Sequence, residues 1–342
     1  MHAGSLNILT GGDVLALLEG REQEVLDAVR RAYEAHGRGA SSLPHSTFLL
    51  FPEDPRSRII ALPAYLGEGF QTAGVKWIAS FPANLGRGLD RASAVLVINS
   101  SLTGLPEAFM ESSVISARRT AASAALAARH LHEAGPPATV GMLGCGLINF
   151  EVARFLRAVF PDLRGLVVSD LDPERAAQFG RMAERVLGLR VEVARSVGEM
   201  LGSSPVISLA TTAPTPHISD LSVCAPGATV LHVSLRDLAP EVILSCNNFA
   251  DDIDHAVRAQ TSLHLTEQMV GHRDFIRGTL ADVLAGRTTP RERPEEIVVF
   301  SPFGLGVLDI AVGHLVRDLA AREGRGSVVD SFLPAPWPER EL

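Results

Sequence analysis

Lys76 is the only lysine among 31 Lys and Arg residues. A GC-rich coding bias accounts for arginine elsewhere, and a lone survivor suggests a place where arginine does not substitute. An ammonium is a compact charge that can lose its proton when buried, whereas guanidinium stays charged. Lys76 stands in Gly74-Val75-Lys76-Trp77, a β-type run, where a solvent-facing lysine is the plain alternative. A second cationic group, Ser116-Ala117-Arg118-Arg119-Thr120, opens an Ala-rich helical stretch. Cations in a first turn oppose the helix dipole by roughly 0.3–1 kcal/mol each. Their presence makes sense where helix amides and guanidinium converge on an anion, the alternative being a solvated pair. Arg91, in Leu89-Asp90-Arg91-Ala92, reads on its own as a loop partner of Asp90.

A different chemistry is written in Gly141-Met142-Leu143-Gly144-Cys145-Gly146-Leu147-Ile148-Asn149. A strand runs into Gly144-x-Gly146 and a helix follows. Glycines there permit a tight turn and let a pyrophosphate approach the helix N-terminus at Leu147 and Ile148. Asn149 replaces the usual third Gly or Ala. The next β-run, Leu166–Ser169, ends in Asp170, near the separation of ~20 residues expected of a ribose-binding carboxylate. Leu171 follows where an arginine would favour a 2′-phosphate, so the spacing points to NAD over NADP. Two further strand ends, Ala210-Thr211-Thr212 and Phe300-Ser301-Pro302-Phe303-Gly304, lead into loops of the kind that line a cofactor crevice, though each also reads as a plain turn.

These groups need elements to hold them. Gly12-Asp13 with Val25, Val29 and Tyr33 predicts a helix at the start. Short runs at Thr47–Phe51, Ile59–Leu62, Ala73–Phe81 and Ala94–Asn99, broken by Pro and Gly, predict a largely antiparallel sheet. A helix is expected from Ser116 to about His130. After Gly135-Pro136-Pro137 the pattern alternates. Strands are expected at Thr139–Leu143, Leu166–Ser169, Val191–Ala194, Val206–Ala210, Thr229–Val233 and Ile297–Phe300, and helices at Ile148–Val159 and Pro173–Leu187. That is a βαβ series with a parallel sheet. The fold class is therefore α/β.

Composition narrows the function. A length of 342 residues suggests about two domains at ~150 residues each. Hydrophobic residues at 46% and charged residues at 20% are ordinary for a globular protein. Net charge −8 argues against nucleic acid or an anionic membrane as partner. No apolar run reaches the ~18 residues of a membrane span. Met1–Ser5 lacks a basic start and an apolar stretch, so export is not expected. Cys145, Cys224 and Cys246 suit a reducing cytoplasm. Of the histidines, His45 and His255 have suggestive surroundings, but neither has a partner at ligand spacing, and no metal is assigned.

Gly74-Val75-Lys76, Arg119-Thr120-Ala121-Ala122-Ser123, Gly144-Cys145-Gly146, Ala210-Thr211-Thr212 and Gly304-Leu305-Gly306-x-x-Asp309 occur in one order. In that order the chain resembles the ornithine cyclodeaminase/mu-crystallin family over nearly its whole length. The resemblance implies a homodimer. It implies a Rossmann domain at 132–307, doubly wound and binding NAD, inserted into a mixed α/β substrate-binding and dimerisation domain of 1–131 plus 308–342. Lys76 and Arg119 would hold a substrate carboxylate, helped by His45 where cyclodeaminases carry arginine, with Arg91 and Arg118 as further cations. Gly144, Gly146, Leu147, Ile148, Asp170, Thr211, Thr212, Ser234 and Gly304 would bind the cofactor. Lys76 and Asp237 are the candidates for proton transfer.

The region His232-Val233-Ser234-Leu235-Arg236-Asp237 departs from cyclodeaminases, which carry Gly-x-Asp followed by Gly-Lys-x-Glu-Leu. Ser80-Phe81-Pro82, Leu89–Ala94, Ser301–Gly306 and Asp251-Asp252-Ile253-Asp254-His255 look instead like the 2,3-diaminopropionate biosynthesis dehydrogenases of the staphyloferrin B type, with relatives in peptide-antibiotic pathways. That branch implies NAD-dependent oxidative cleavage of N-(2-amino-2-carboxyethyl)-L-glutamate, supplied by a PLP-dependent, cysteine-synthase-like enzyme. Other members would be a cyclodeaminase, an alanine-type dehydrogenase or a ketimine reductase; a mu-crystallin-like ligand carrier would bind without turnover.

Overall fold

The computed structural model describes residues 4–339, so Met1 to Ala3 of the segment read for export lie outside it. Contacts divide the chain into two compact units, Met1–Arg119 with Leu305–Leu342, and Thr120–Gly304. The family resemblance places these boundaries at 131/132 and 307/308; the first observed division falls inside the helix Ser113–Leu131.

The first unit begins with β1 (Leu6–Leu9), α1 (Gly11–Leu18) and α2 (Glu22–Gly37). The single helix expected here is two, because Gly20 adopts φ 67 and breaks the run. Thr10 and Asp13 form a capping box that starts α1. There follow β2 (Ser41–Ser42), β3 (Thr47–Phe51), β4 (Asp54–Leu66), β5 (Thr72–Ser80), β6 (Ala92–Ser100), β7 (Pro106–Glu111) and α3 (Ser113–Leu131). The sheet order is β16-β1-β7-β6-β5-β4-β2, with β3 also on β4, where β16 is Ser327–Val329 near the C-terminal end. Its ladders are antiparallel except that β1 runs parallel to β7. Lys76 lies between Leu62 and Leu96, both buried, so this face points inward. The helix α11 (Gly306–Glu323) packs on β4, β5 and β6 and against α2. Alternation puts Leu49, Tyr65, Trp77 and Phe109 on the other face, where all four are about 40% exposed or slightly less.

The second unit runs β8 (Thr139–Leu143), α4 (Leu147–Val159), β9 (Gly165–Ser169), α5 (Pro173–Leu187), β10 (Arg190–Val193), α6 (Val197–Gly202), β11 (Val206–Leu209) and β12 (Thr229–His232). It continues with α7 (Pro240–Leu244), β13 (Asn247–Ala250), α8 (Ile253–Ala256), α9 (Ser262–Val270), β14 (Ile276–Thr279), α10 (Leu280–Leu284) and β15 (Val298–Ser301). All ladders are parallel, in the order β10-β9-β8-β11-β12-β15-β13-β14. The first five strands have the 3-2-1-4-5 order of a Rossmann sheet, whose direction reverses between β8 and β11. Buried runs such as Val206–Leu209 and Val298–Ser301 fit a sheet covered on both faces. Among the described residues no helix is long and apolar enough to cross a membrane.

Candidate active site

In the first unit the lone lysine has a built environment. Lys76 is 1% exposed, and its Nζ lies 2.8 Å from Asp309 Oδ2 and 3.1 Å from Ser116 Oγ. Asp309 comes from the first turn of α11, and its other oxygen accepts from Arg119 Nε at 3.0 Å. Ser116 and Arg119 are one turn apart on α3, which lets Arg119 Nη2 also approach Ser116 Oγ at 3.5 Å. Two cations therefore flank one buried carboxylate, an excess of positive charge suited to a further anion. Burial, helped by the Arg119 charge and opposed by Asp309, pushes the Lys76 ammonium down to about 8. This is the range where an amine exchanges protons near neutral pH, which arginine does not do.

The other expected cations divide. Arg91 directly precedes β6, and its carbonyl accepts from the Phe81 amide at 2.8 Å. It thus lies just beyond the Ser80 end of β5, five residues and about 17 Å along the strand direction from Lys76. Its Nε is buried with no hydrogen-bond partner among the described residues, and burial lowers its pKa. Buried guanidinium nitrogens are normally paired, so an anion is the missing partner this group fits. The Asp90 pairing read from sequence is not what the structure places on Nε. Arg118 has a partner within the unit: about 100° round the helix from Arg119, its Nη1 donates to the Leu18 carbonyl and ties α3 to α1. His45 is exposed in the segment before β3, whose register sets Thr47 opposite Ala61, next to the Leu62–Lys76 pair.

In the second unit the glycine turn has the form its sequence predicts. Gly144 has φ 91, and a Cβ there would sit 2.5 Å from the Ala210 carbonyl oxygen, so only glycine fits. A Cβ on Gly146 would meet open space. Gly146 is the N-cap of α4 without any side-chain cap, and no acid occupies the first turn. The helix amides at Leu147 and Ile148 are thus presented to an anion. Asp170 directly follows β9, with Oδ2 accepting from the Cys145 amide at 2.7 Å and Oδ1 from the Asp172 amide at 3.0 Å. A carboxylate still has lone pairs for ribose hydroxyls after two such bonds. Asn149, the departure from the glycine pattern, is fully buried. Its Nδ2 donates to the Leu143 and Gly144 carbonyls at 2.9 and 2.7 Å, and its Oδ1 accepts from Ser208 Oγ at 2.7 Å. It stitches the turn to β8 and β11 in place of glycine's close packing.

Asp237 is brought into a network that changes its role. Fully buried, it accepts from Thr211 Oγ1 at 2.5 Å and from Ser234 Oγ, and its Oδ1 lies 3.0 Å from His217 Nε2. Its amide donates to His232 Nε2 at 3.0 Å, and the His232 Nδ1 meets Ser301 Oγ at 3.1 Å. Burial would raise the Asp237 carboxyl, but His232, Ser234 and Thr211 outweigh burial and hold it well below the usual carboxylate range. So weak a base is poorly matched to taking protons near neutrality. We assign Asp237 to organising this loop cluster and leave Lys76 as the proton-transfer candidate. The Thr211 and Ser234 hydroxyls are likewise engaged inward; Thr212 is exposed at the end of β11. Gly304, φ 95, donates its amide to Asp251 Oδ2 at 2.7 Å.

Sequence reasoning did not single out Asp309, His217, His232 or Ser116 as functional side chains. For Asp309 the available signal was electrostatic: a buried lysine beside an arginine requires a carboxylate. Among the described residues no group of three or more His, Cys, Asp or Glu is placed to hold a metal ion.

A family model described as ornithine cyclodeaminase/mu-crystallin matches residues 13–324. The chain is 28% identical over 334 residues to the alanine dehydrogenase of Archaeoglobus fulgidus, covering 95% of this chain and 98% of that protein. It is 26% identical over 319 residues to the N-((2S)-2-amino-2-carboxyethyl)-L-glutamate dehydrogenase of Staphylococcus aureus, covering 91% and 94%. Among solved structures, an archaeal alanine dehydrogenase dimer with bound NAD superposes at TM-score 0.85 and 25% identity, covering 95% of this chain and 99% of that one.

Proposed function

Because the chain belongs to the ornithine cyclodeaminase/mu-crystallin family, we propose that it is an NAD-dependent dehydrogenase acting on a CH–NH bond. Its substrate in this reading is N-(2-amino-2-carboxyethyl)-L-glutamate, cleaved to L-2,3-diaminopropionate and 2-oxoglutarate for siderophore or peptide-antibiotic biosynthesis. The observation that carries the substrate assignment is Arg91, a buried guanidinium nitrogen with no partner among the described residues, its backbone about 17 Å along the sheet from that of Lys76. A substrate with three carboxylates supplies an anion at both places; alanine supplies one. The Staphylococcus aureus relative supports the same reaction.

The residues present fit NAD. The uncapped α4 N-terminus at Gly146, with Leu147 and Ile148, takes the pyrophosphate, and Asp170 takes the ribose hydroxyls and repels a 2′-phosphate. Thr211, Thr212, Ser234 and Gly304 line the carboxyl ends of the strands, where such a cofactor lies. Thr120–Gly304 is then the cofactor-binding unit, and the unit built from both chain ends binds substrate. When bound, NAD supplies the acceptor for the hydride that leaves the glutamate α-carbon.

The chain's own residues do the rest. Arg119, permanently charged, holds the α-carboxylate beside the reacting carbon. Lys76 assists as an ammonium and, once neutral, accepts a proton from the substrate amine or from the water that attacks the resulting imine. Asp309 keeps Arg119 and Lys76 aligned and sets how readily Lys76 gives up its proton. Arg91, with His45 nearer Lys76, takes the remaining carboxylates. Water adds to the imine, the C–N bond breaks, and 2-oxoglutarate leaves.

A homodimer belongs to the same proposal, with a second copy covering the apolar sheet face of Tyr65, Trp77 and Phe109. The reaction runs in the cytoplasm and follows a PLP-dependent, cysteine-synthase-like enzyme that makes the substrate. The test is a substrate panel with NAD. NADH formed one for one with 2-oxoglutarate supports the proposal. Ornithine converted to proline without net NADH, alanine as the preferred substrate, or binding without turnover would each replace it.

A further inference from the structure

The segment Asp251-Asp252-Ile253-Asp254-His255 follows β13 and has no part in the reaction as proposed. Its geometry shows what it grips. The Asp251 carboxylate is 1% exposed. Oδ1 accepts from the amides of Asp252 and Phe303, both at 2.9 Å, and Oδ2 accepts from the amide of Gly304 at 2.7 Å. Asp252 caps α8 by accepting from the His255 amide at 2.9 Å, and Asp254 pairs with Arg273 Nη1 at 2.6 Å. The His255 ring lies 6.4 Å from the Phe303 ring. The motif therefore holds both the backbone and the side chain of the stretch after β15. That stretch needs holding, because φ 95 at Gly304 is a conformation that glycine reaches but does not favour over others.

We propose that Asp251 is a positioning residue: its carboxylate fixes the Phe303 and Gly304 amides so that Ser301–Gly304 presents one backbone shape to the cofactor. This rests on the reading of Gly304 as a cofactor-binding residue. Three amide N–H groups converge on this carboxyl, which uses both oxygens as acceptors. The ionised form accepts all three as charge-assisted bonds; protonation of either oxygen makes them weaker, neutral bonds and adds a hydrogen that competes with an N–H for its place. Burial pushes the Asp251 carboxyl up to about 6, against the pull of the three amides and with the like charge of Asp252 adding to it. From α8 the titratable neighbours are Asp252, Asp254 and His255, while Ser301–Gly304 brings no ionisable side chain. The clamp is therefore set above about pH 6 and releases below it.

Hydrogen exchange at the Phe303 and Gly304 amides of the full chain, corrected for intrinsic rates, reads the clamp directly. Protection should be level above about pH 7 and fall about 10-fold by about pH 5, as protonation frees the amides. The wild-type profile needs no variant, and flat protection across that range overturns the proposal. In Asp251→Asn one amide loses its acceptor. We expect KM for NAD to rise about 10-fold, KM for the amino-acid substrate to stay within about 2-fold, and the acid limb near pH 6 in kcat/KM for NAD to vanish. An Asn variant with the wild-type NAD KM and acid limb overturns it as well. If the amides respond to pH as expected but NAD does not bind the wild type, the clamp stands and the cofactor reading fails.

Discussion

Replacing Asp309 with Asn keeps the shape of the side chain and removes the one negative charge between Lys76 and Arg119. The separation from Lys76 Nζ is 2.8 Å. At an effective dielectric constant of about 20, Coulomb's law gives about 6 kcal/mol for such a pair, or roughly 4 pKa units as an upper scale. With burial and the Arg119 charge still acting, the Lys76 ammonium must fall from about 8 by at least about one unit. The sign for activity follows from the proposed role. Neutral Lys76 accepts the proton, so kcat in the wild type rises as pH increases through about 8, and in Asp309→Asn the same rise occurs below about 7. Two buried cations without their carboxylate also destabilise the fold by about 3–5 kcal/mol, less what Lys76 regains by losing its proton. NADH absorbance under saturating substrate across about pH 6 to 10 gives the profiles, and thermal melts give the stability. A variant that is folded and active with its limb still at about 8 would refute the assignment of Lys76 as the titrating group and Asp309 as the residue that tunes it.

Arg119→Ala truncates one partner of a buried charge pair and should lower kcat/KM by roughly 30-fold or more, measured by steady-state kinetics at fixed NAD. Arg91→Ala should raise KM for the three-carboxylate substrate about 10-fold while the NAD dissociation constant, read by fluorescence titration, stays unchanged. The enzyme should prefer NAD to NADP in kcat/KM, and Asp170→Ala should narrow that preference; equal use of both cofactors by the wild type would remove Asp170 from the ribose site. Trp77→Arg places a charge on the apolar sheet face and should convert a dimer to a monomer in sedimentation velocity, with Lys76 chemistry retained in any dimer that remains.

The parallel sheet was legible because β8, β9 and β11 are short apolar runs followed by a helix or turn signal, and burial on both faces leaves those runs nearly uninterrupted, whereas the edge strand β10 (Arg190–Val193) is mostly exposed and alternates. The edge elements were not. β13 and β14 contain polar Asn247, Asn248, Arg277 and Thr279, and the pairing of β13 to β15 and of β14 to β13 is settled by tertiary contacts rather than by pattern. β1 and β16 are short strands from opposite ends of the chain that become visible only once they pair. In the site, the composition of the chain drew attention to Lys76, and helix-dipole reasoning drew it to Arg119. The first-turn premise itself does not hold for either arginine, because α3 begins at Ser113, three residues before the Ser116 start read from the sequence, and Arg118 and Arg119 sit in its second turn. Asp237 was approached through resemblance alone, and the groups that lower its basicity, Thr211 after β11 and His232 and Ser234 at the end of β12, come from two strand ends well separated in sequence from each other. Asp309 lies far from Lys76 in sequence and on a helix in a different part of the chain, so no local spacing could join them.

The most direct test uses substrate deuterated at the glutamate α-carbon, incubated with the protein and unlabelled NAD. The account predicts one deuterium in each NADH formed and one 2-oxoglutarate for each NADH, both read by mass spectrometry. Unlabelled NADH, or 2-oxoglutarate released without NADH, would contradict it.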